Sequence, residues 1–282
     1  MPSPTAPPLR VLCLHGYMQN AKVFRQRTGA LRKGLRKQLE LVYVTAPHTA
    51  ADFGTMPAAG TLATQQAQLQ GVAAGDEDPH RAAWWNHTAD TMADDVVASA
   101  RFLRDVVREQ GPFEGVLGFS QGATMAAIML ALIRNRGSPK LQRDRPELAA
   151  IAEDLAAATA ATPLRLGIFA GGFCPTLPLV DSLVVLGAPI AVPSLHLLGR
   201  KDAVVPMYRS RQLATTYFAK PDIEMHEGGH VFPWAASMTS LYTEFIRRAM
   251  ACTSSLGRRS MPGDPVDAAA PANGDAPAEA MP

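Results

Sequence analysis

The hydrophobic pattern of this chain alternates between short unbroken apolar runs and longer stretches in which apolar residues recur every three or four positions. Val11-Leu12-Cys13-Leu14, stopping at His15-Gly16, is a run of the first kind. It predicts a buried strand over Arg10 to Leu14. Similar runs predict strands over Leu41 to Thr45, Gly115 to Phe119, Leu164 to Ala170, Ser194 to Leu198 and Ile223 to His226. The helical period predicts a helix over Lys22 to Leu39, with Phe24, Leu31 and Leu35 on its inner face and basic residues outside. Met92, Val96, Ala100, Leu103 and Val107 mark a second helix, which closes at Gly111-Pro112. Further helices are predicted over Gln121 to Arg134, Pro146 to Ala161, Met207 to Phe218 and Ser237 to Cys252, with a polar loop over Asn135 to Arg145. Strands alternating with helices imply an α/β fold: a mostly parallel central sheet with helices on both faces.

Two stretches lack either period. His48 to Asn86 is rich in Gly, Pro, Ala and Gln and ends at Trp84-Trp85. So long an irregular stretch inside a domain reads as a lid or as disorder, and the two tryptophans predict that its end is packed. Beyond Cys252 the chain turns to Ala, Pro, Gly, Ser and Asp without an aromatic residue, which predicts a disordered tail over 253–282. The expected organisation is a flexible leader over 1–8, one domain over 9–252, and that tail.

Composition narrows the function classes. Hydrophobic residues make up 47% and charged residues 18% of the 282 positions, enough apolar material for a large core. A formal charge of +2 gives no steer toward nucleic acid. No apolar run approaches the ~20 residues that span a bilayer, so no stable membrane insertion is expected. The three cysteines, Cys13, Cys174 and Cys252, are an odd, scattered set without metal-ligand spacing, and are read as reduced thiols. Met1 to Pro8 lacks the basic and apolar regions of a signal peptide, so a cytoplasmic protein is expected.

The chemistry concentrates in Gly118-Phe119-Ser120-Gln121-Gly122, a Gly-x-Ser-x-Gly pattern between a predicted strand and a small-residue helix. A sharp strand-to-helix turn exposes a serine hydroxyl, and side chains two before or two after it would collide. The pattern predicts a nucleophilic Ser120 in an α/β-hydrolase fold. Such a serine needs a base, and the base an orienting acid, in the chain order Ser, Asp or Glu, His. Of seven histidines only His196, His226 and His230 follow Ser120. His196 lies within a predicted strand and His226 at the end of one, whereas His230 follows Gly228-Gly229 in a turn that can reach over the sheet edge. His230 is therefore the predicted base. Asp202, after the strand that ends near Leu198 and within Gly199-x-x-Asp-x-x-Val-Pro, is the predicted acid. The oxyanion hole is expected from the backbone N–H of Gln121 and that of Tyr17, in the loop after the first strand. Residues expected to line an apolar pocket are Met18, Trp84, Trp85, Phe119, Phe173, Val204 and Phe232. No cofactor or metal is expected: Gly171-Gly172 is followed by Phe173-Cys174-Pro175, not by a dinucleotide fingerprint.

Several segments together resemble one family. They are Leu14-His15-Gly16-Tyr17-Met18-Gln19-Asn20, Phe24 to Lys33, Gly111-Pro112-Phe113-Glu114-Gly115, Gly118 to Ala123, Gly171-Gly172-Phe173-Cys174-Pro175 and Gly228-Gly229-His230. From about Arg10 to about Met250 the chain is similar to the FSH family of eukaryotic serine hydrolases. The resemblance implies an α/β-hydrolase core and carboxylesterase or thioesterase activity on a small-molecule ester or thioester, with a leaning toward long alkyl chains. It supports Ser120, Asp202 and His230 as a triad and admits the nucleus as well as the cytoplasm. The chain departs from the family over Thr49 to Gly75, Asn135 to Thr162 and the tail, and the first departure bears on the pocket. Two other readings stay open. One is an enzyme like the acyl-protein thioesterases and lysophospholipases, which share Gly-Phe-Ser-Gln-Gly. The other is a non-catalytic ligand-binding protein of the same fold. Oligomeric state has no signature in the sequence.

Overall fold

A computed structural model describes residues 7–50, 80–86, 91–175, 189–235 and 238–256. The central sheet has six parallel strands: β1 (Leu9–Leu14), β2 (Leu39–Val44), β5 (Gly115–Phe119), β6 (Leu166–Ala170), β7 (Ser194–Gly199) and β8 (Pro221–His226). Their spatial order is β2-β1-β5-β6-β7-β8. A two-residue antiparallel pair, β3 (His48–Thr49) with β4 (Ala82–Ala83), stands apart.

The strands are apolar on both faces because both are covered. Leu12 and Leu14 of β1, Val116 of β5 and Phe169 of β6 point into one core. It is roofed by α3 (Met92–Gln110), α4 (Gln121–Arg134), α6 (Pro146–Ala158) and α7 (Met207–Tyr217). Val11, Cys13, Leu117, Ile168, Leu195 and Leu197 point the other way. There they meet α1 (Ala21–Arg27), α2 (Gly29–Leu35) and α8 (Thr239–Leu256). Every residue of α4 from Gln121 to Leu132 is buried, which explains why its sequence is apolar and small on all sides.

Chain order reverses between β1 and β5, since β2 lies outside β1 while β6 to β8 extend beyond β5. Open α/β sheets leave a crevice beyond the carboxyl ends of their strands at such a switch point. The loops leaving β1 and β5 there are His15-Gly16-Tyr17-Met18 and the turn at Ser120.

Three boundaries depart from the sequence-based expectation. The helix expected over Lys22 to Leu39 is two helices broken at Thr28, and Leu39 already belongs to β2. Thr28 Oγ1 donates to Phe24 O at 2.7 Å, beside the Thr28 N–H bond to the same oxygen, and pairs with Tyr43 Oη at 2.6 Å, a back-bond of the kind that bends helices. The loop expected over Asn135 to Arg145 contains α5 (Pro139–Asp144), capped by Ser138 with Pro139 at its start. The last helix runs to Leu256, past the boundary expected at Cys252. The leader through Ala6, the stretch 51–79 and the tail from 257 lie outside the described residues. Among the described residues no helix is long and apolar enough to cross a membrane.

Two buried histidines couple this fold to pH. His196 of β7 is stacked on Phe169 and edge-on to Phe218, each at 4.8 Å, and burial lowers its pKa to about 3. Burial likewise lowers that of His15 to about 4, against a smaller opposing effect of its bond to Gly16 O. Below the ordinary imidazole value of about 6.5 the unfolded chain takes up protons that the folded chain refuses. Stability is therefore fully present above that value and lost as pH falls, by roughly 1.4 kcal/mol per histidine per pH unit, until the folded pKa is reached. We predict that His196→Phe flattens the decline of melting temperature between pH 6 and pH 4, read by calorimetry. An acid-side slope equal to wild type would remove His196 from the account.

Candidate active site

Ser120 sits at the turn between β5 and α4 with φ 53° and ψ −120°, one of two non-glycine residues with positive φ among those described. Such a conformation is costly for an L residue and persists where the surroundings impose it. They do so on both sides. A Cβ on Gly118 would lie 2.5 Å from Ala123 Cα, and one on Gly122 would lie 2.3 Å from Leu14 O and 2.4 Å from His15 O. The helix can therefore start directly beneath β1 only with glycine at both positions. The backbone N–H of Ser120 donates to Ala170 O of β6 at 2.8 Å, which pins the turn to the sheet.

His230 arrives on the loop after β8, and Asp202 on the loop after β7. These loops are bonded to each other: Arg200 N–H donates to His226 O at 2.9 Å and Lys201 N–H to Gly228 O at 3.1 Å. The approach needs Gly199, where a Cβ would meet Gly229 O at 2.5 Å. The result brings three predicted residues together. His230 Nε2 lies 2.8 Å from Ser120 Oγ, and His230 Nδ1 lies 2.7 Å from Asp202 Oδ2. The other carboxylate oxygen, Oδ1, accepts from Val204 N–H at 2.9 Å and Val205 N–H at 2.8 Å. The His230 side chain is fully buried and that of Asp202 is 3% exposed, so their pairing is shielded from solvent. Phe119 packs on the imidazole at 4.9 Å. Gly171, with φ +58°, leaves only 3.1 Å between a would-be Cβ and His230 Cε1.

The other two histidines lie elsewhere. His196 is in the core beside Phe169 and Phe218. His226 is half-buried and accepts from Gly228 N–H at 3.2 Å; burial lowers its pKa, partly opposed by the charges of Asp202 and Glu227.

Gln121 occupies the first position of α4, where a backbone N–H has no intrahelical acceptor. The loop bearing Tyr17 passes over Ser120, since a Cβ on Gly16 would lie 3.4 Å from Ser120 Cβ. The next amide, Met18 N–H, is engaged with Ala82 O at 3.0 Å. His15 supports this loop from below. Its Nε2 accepts from Ala46 N–H at 3.0 Å, which places the proton on Nδ1 for donation to Gly16 O at 2.7 Å.

The seven expected pocket residues divide. Trp84 is wholly buried; its indole N–H donates to His15 O at 2.8 Å and its ring packs on His15 and Phe102. Phe119 and Phe232 pack around Phe24. These three belong to the core, because the strand ends and loops carrying them turn their side chains inward, and Trp85 is wholly buried in the same cluster as Trp84. Trp85 meets Phe173 edge to face at 6.2 Å. Phe173 is held by two bonds to Thr124, one turn into α4, and Arg209 lies over its ring at 4.8 Å. Val204 is partly buried against the same core as Trp85, and Met18 packs with Tyr17, Ala50 and Ala83. One participant had no sequence signal: the side chain of Gln121, which bonds the backbone at Trp84 and Trp85. Among the described residues no three His, Cys, Asp or Glu side chains converge as a metal site would require.

Comparison with known proteins identifies the family. The family model described as serine hydrolase (FSH1) matches residues 5–242. Esterase OVCA2 of Danio rerio is 34% identical over 256 residues, covering 86% of this chain and 99% of the fish protein. Esterase OVCA2 of Homo sapiens is 34% identical over 261 residues, covering 85% and 96%. Among solved structures, acyl-protein thioesterase 2 of Zea mays superposes with a TM-score of 0.51 at 16% identity, covering 87% of this chain and 96% of the maize protein. That likeness concerns the fold, which is that of the α/β hydrolases. The chain belongs to the FSH1 serine hydrolase family.

Proposed function

We propose that this enzyme cleaves carboxylic esters, thioesters among them, that carry an apolar chain, through a Ser120–His230–Asp202 triad and an acyl-enzyme. The observation that carries this reading is the unbroken hydrogen-bonded series from Ser120 Oγ through the His230 ring to Asp202, beside the switch point of the sheet. In this mechanism Ser120 Oγ attacks the carbonyl carbon while His230 Nε2 takes its proton. The carbonyl oxygen gains the electron pair and is held by the N–H groups of Gln121 and Tyr17. Collapse re-forms the carbonyl and expels the alkoxide or thiolate, which receives the proton from Nε2. Water then repeats the sequence on the acyl-enzyme, and the acid leaves. Asp202 keeps Nδ1 protonated and stabilises the imidazolium formed in each half. A non-catalytic binding role would need none of these alignments.

The apolar wall is assigned to Phe173, backed by Trp85, with Met18 and Val204 at its margins. The bonds of Phe173 to Thr124 hold that wall to the nucleophile helix. Burying a methylene contributes about 0.8 kcal/mol, so kcat/KM is expected to rise roughly two- to fourfold per added acyl carbon until the channel is full. The test is a panel of p-nitrophenyl esters from acetate to decanoate, with matched thioesters, on wild type, Ser120→Ala and Trp85→Ala. Ser120→Ala is expected to be inactive, and Trp85→Ala to flatten the chain-length slope more than it slows acetate. Equal turnover of acetate and longer esters by wild type would rule out the channel.

A further inference from the structure

The Gln121 side chain is 1% exposed, and both ends of its carboxamide are hydrogen-bonded. Its Oε1 accepts from Trp84 N–H at 2.8 Å and its Nε2 donates to Trp85 O at 2.7 Å. The segment it grips is bonded on its other side to the loop after β1. Met18 N–H donates to Ala82 O at 3.0 Å, Ala82 N–H to Gln19 O at 2.9 Å, and the Trp84 indole to His15 O at 2.8 Å. Residues 82–85 thus bridge the two loops from which the oxyanion donors come, and the bridge reaches the nucleophile helix through one side chain. The oxyanion loop itself is under strain: Met18 has φ 61°, and its N–H is held by Ala82. A carboxamide is the group that suits the position, because it offers one acceptor and one donor to a backbone N–H and C=O lying side by side.

We propose that Gln121 is a positioning residue: its carboxamide clasps Trp84-Trp85 to the nucleophile helix and so sets the spacing between the two oxyanion donors, Tyr17 N–H and Gln121 N–H. This rests on the Ser120 reading above. Oxyanion stabilisation depends on donors fixed at the place where charge develops. Loosening the clasp therefore affects the transition state more than substrate binding, and lowers kcat rather than raising KM.

The decisive variant is Gln121→Glu. Protonated, the glutamic acid reproduces both bonds, with its carbonyl accepting from Trp84 N–H and its hydroxyl donating to Trp85 O. Ionised, it turns an anionic oxygen toward Trp85 O and opens the clasp. Burial favours the protonated form, so the variant should work at the acid end of the range and fail as pH rises. The titratable and charged groups on the elements packed about the clasp are His230 on Ser120, His15 beneath Trp84, Asp95, which accepts from Asn86 N–H, and Arg209 over Phe173; all are shared with wild type, and His15 changes charge near pH 4, below the working range.

The experiment compares pH–rate profiles of wild type and Gln121→Glu on one short ester, with fluorophosphonate labelling of Ser120 followed in parallel. Expected is a falling alkaline limb of about tenfold or more in kcat that wild type lacks, with KM altered much less. A variant profile parallel to wild type, or a change confined to KM, overturns the clasp. If the glutamate variant unfolds as it ionises, Gln121→Met decides, since it keeps the length of the side chain without either bond. In that variant a kcat close to wild type overturns the proposal, and a fall of about tenfold in folded protein supports it. Failure of the Ser120 reading looks different: wild type would then be neither active nor labelled.

Discussion

Replacing His230 by alanine is expected to lower kcat by roughly 10⁴- to 10⁶-fold while the protein remains folded. The reason lies in the two distances at the ring, 2.8 Å to Ser120 Oγ and 2.7 Å to Asp202 Oδ2, which leave one side chain to take the serine proton. A serine hydroxyl without a base is a poor nucleophile at neutral pH. Ser120→Ala should fall to a similar floor, and the double variant no lower, because residues acting on one proton transfer lose their effect together. The floor reflects substrate binding and the oxyanion donors, which neither change removes. A fluorophosphonate probe should mark wild type at Ser120 and leave both variants unmarked. The comparison that matters is His226→Ala, whose ring contacts Gly228 N–H and not Ser120. It should retain most of the activity. An inactive His226→Ala beside an active His230→Ala would reverse the assignment of the base.

How much of this was legible in the sequence depended on the range of the interaction. The strands at β1 and β5 and the helix α4 stood out because covering on both faces demands continuous apolar residues. Gly118, Ser120 and Gly122 stood out because a collision within five residues dictates their identity. Gly199 and Gly228-Gly229 were visible only as two separate turn signals. That they are one feature, the first glycine admitting the carbonyls of the others, follows from pairing β7 with β8. The break at Thr28 was hidden because one partner of its hydroxyl, Tyr43, lies on another element. The pocket was harder still. An aromatic residue at a strand end or in a loop reads the same whether it lines a cleft or fills the core, and Trp84, Trp85, Phe119 and Phe232 are buried in the core. The role of Gln121 had no local signal, since both bonds of its side chain reach a segment more than thirty residues earlier.

Substituting Asp202 with asparagine should be nearly as damaging, and the geometry says why a near-isosteric change does so much. Asp202 Oδ1 accepts two backbone N–H groups, from Val204 and Val205, and can be replaced only by an atom that accepts. The asparagine oxygen must therefore take that position. Its NH₂ group is then directed at His230 Nδ1, 2.7 Å away, where the carboxylate oxygen stood. A donor there obliges Nδ1 to accept, which moves the ring proton to Nε2. The imidazole then presents a proton, not a lone pair, to Ser120 Oγ and cannot act as base. Loss of the imidazolium's anionic partner adds to the effect. In a serine protease of unrelated fold the same substitution lowers kcat about 10⁴-fold with the geometry intact, and a similar loss is expected here. The melting temperature should change little, because every hydrogen bond at the site can still be made. Nitrogen-15 chemical shifts of His230 should report the exchanged tautomer. A folded Asp202→Asn enzyme within about tenfold of wild-type kcat would show that Asp202 does not set the protonation of His230, and the orienting role would have to pass to another group.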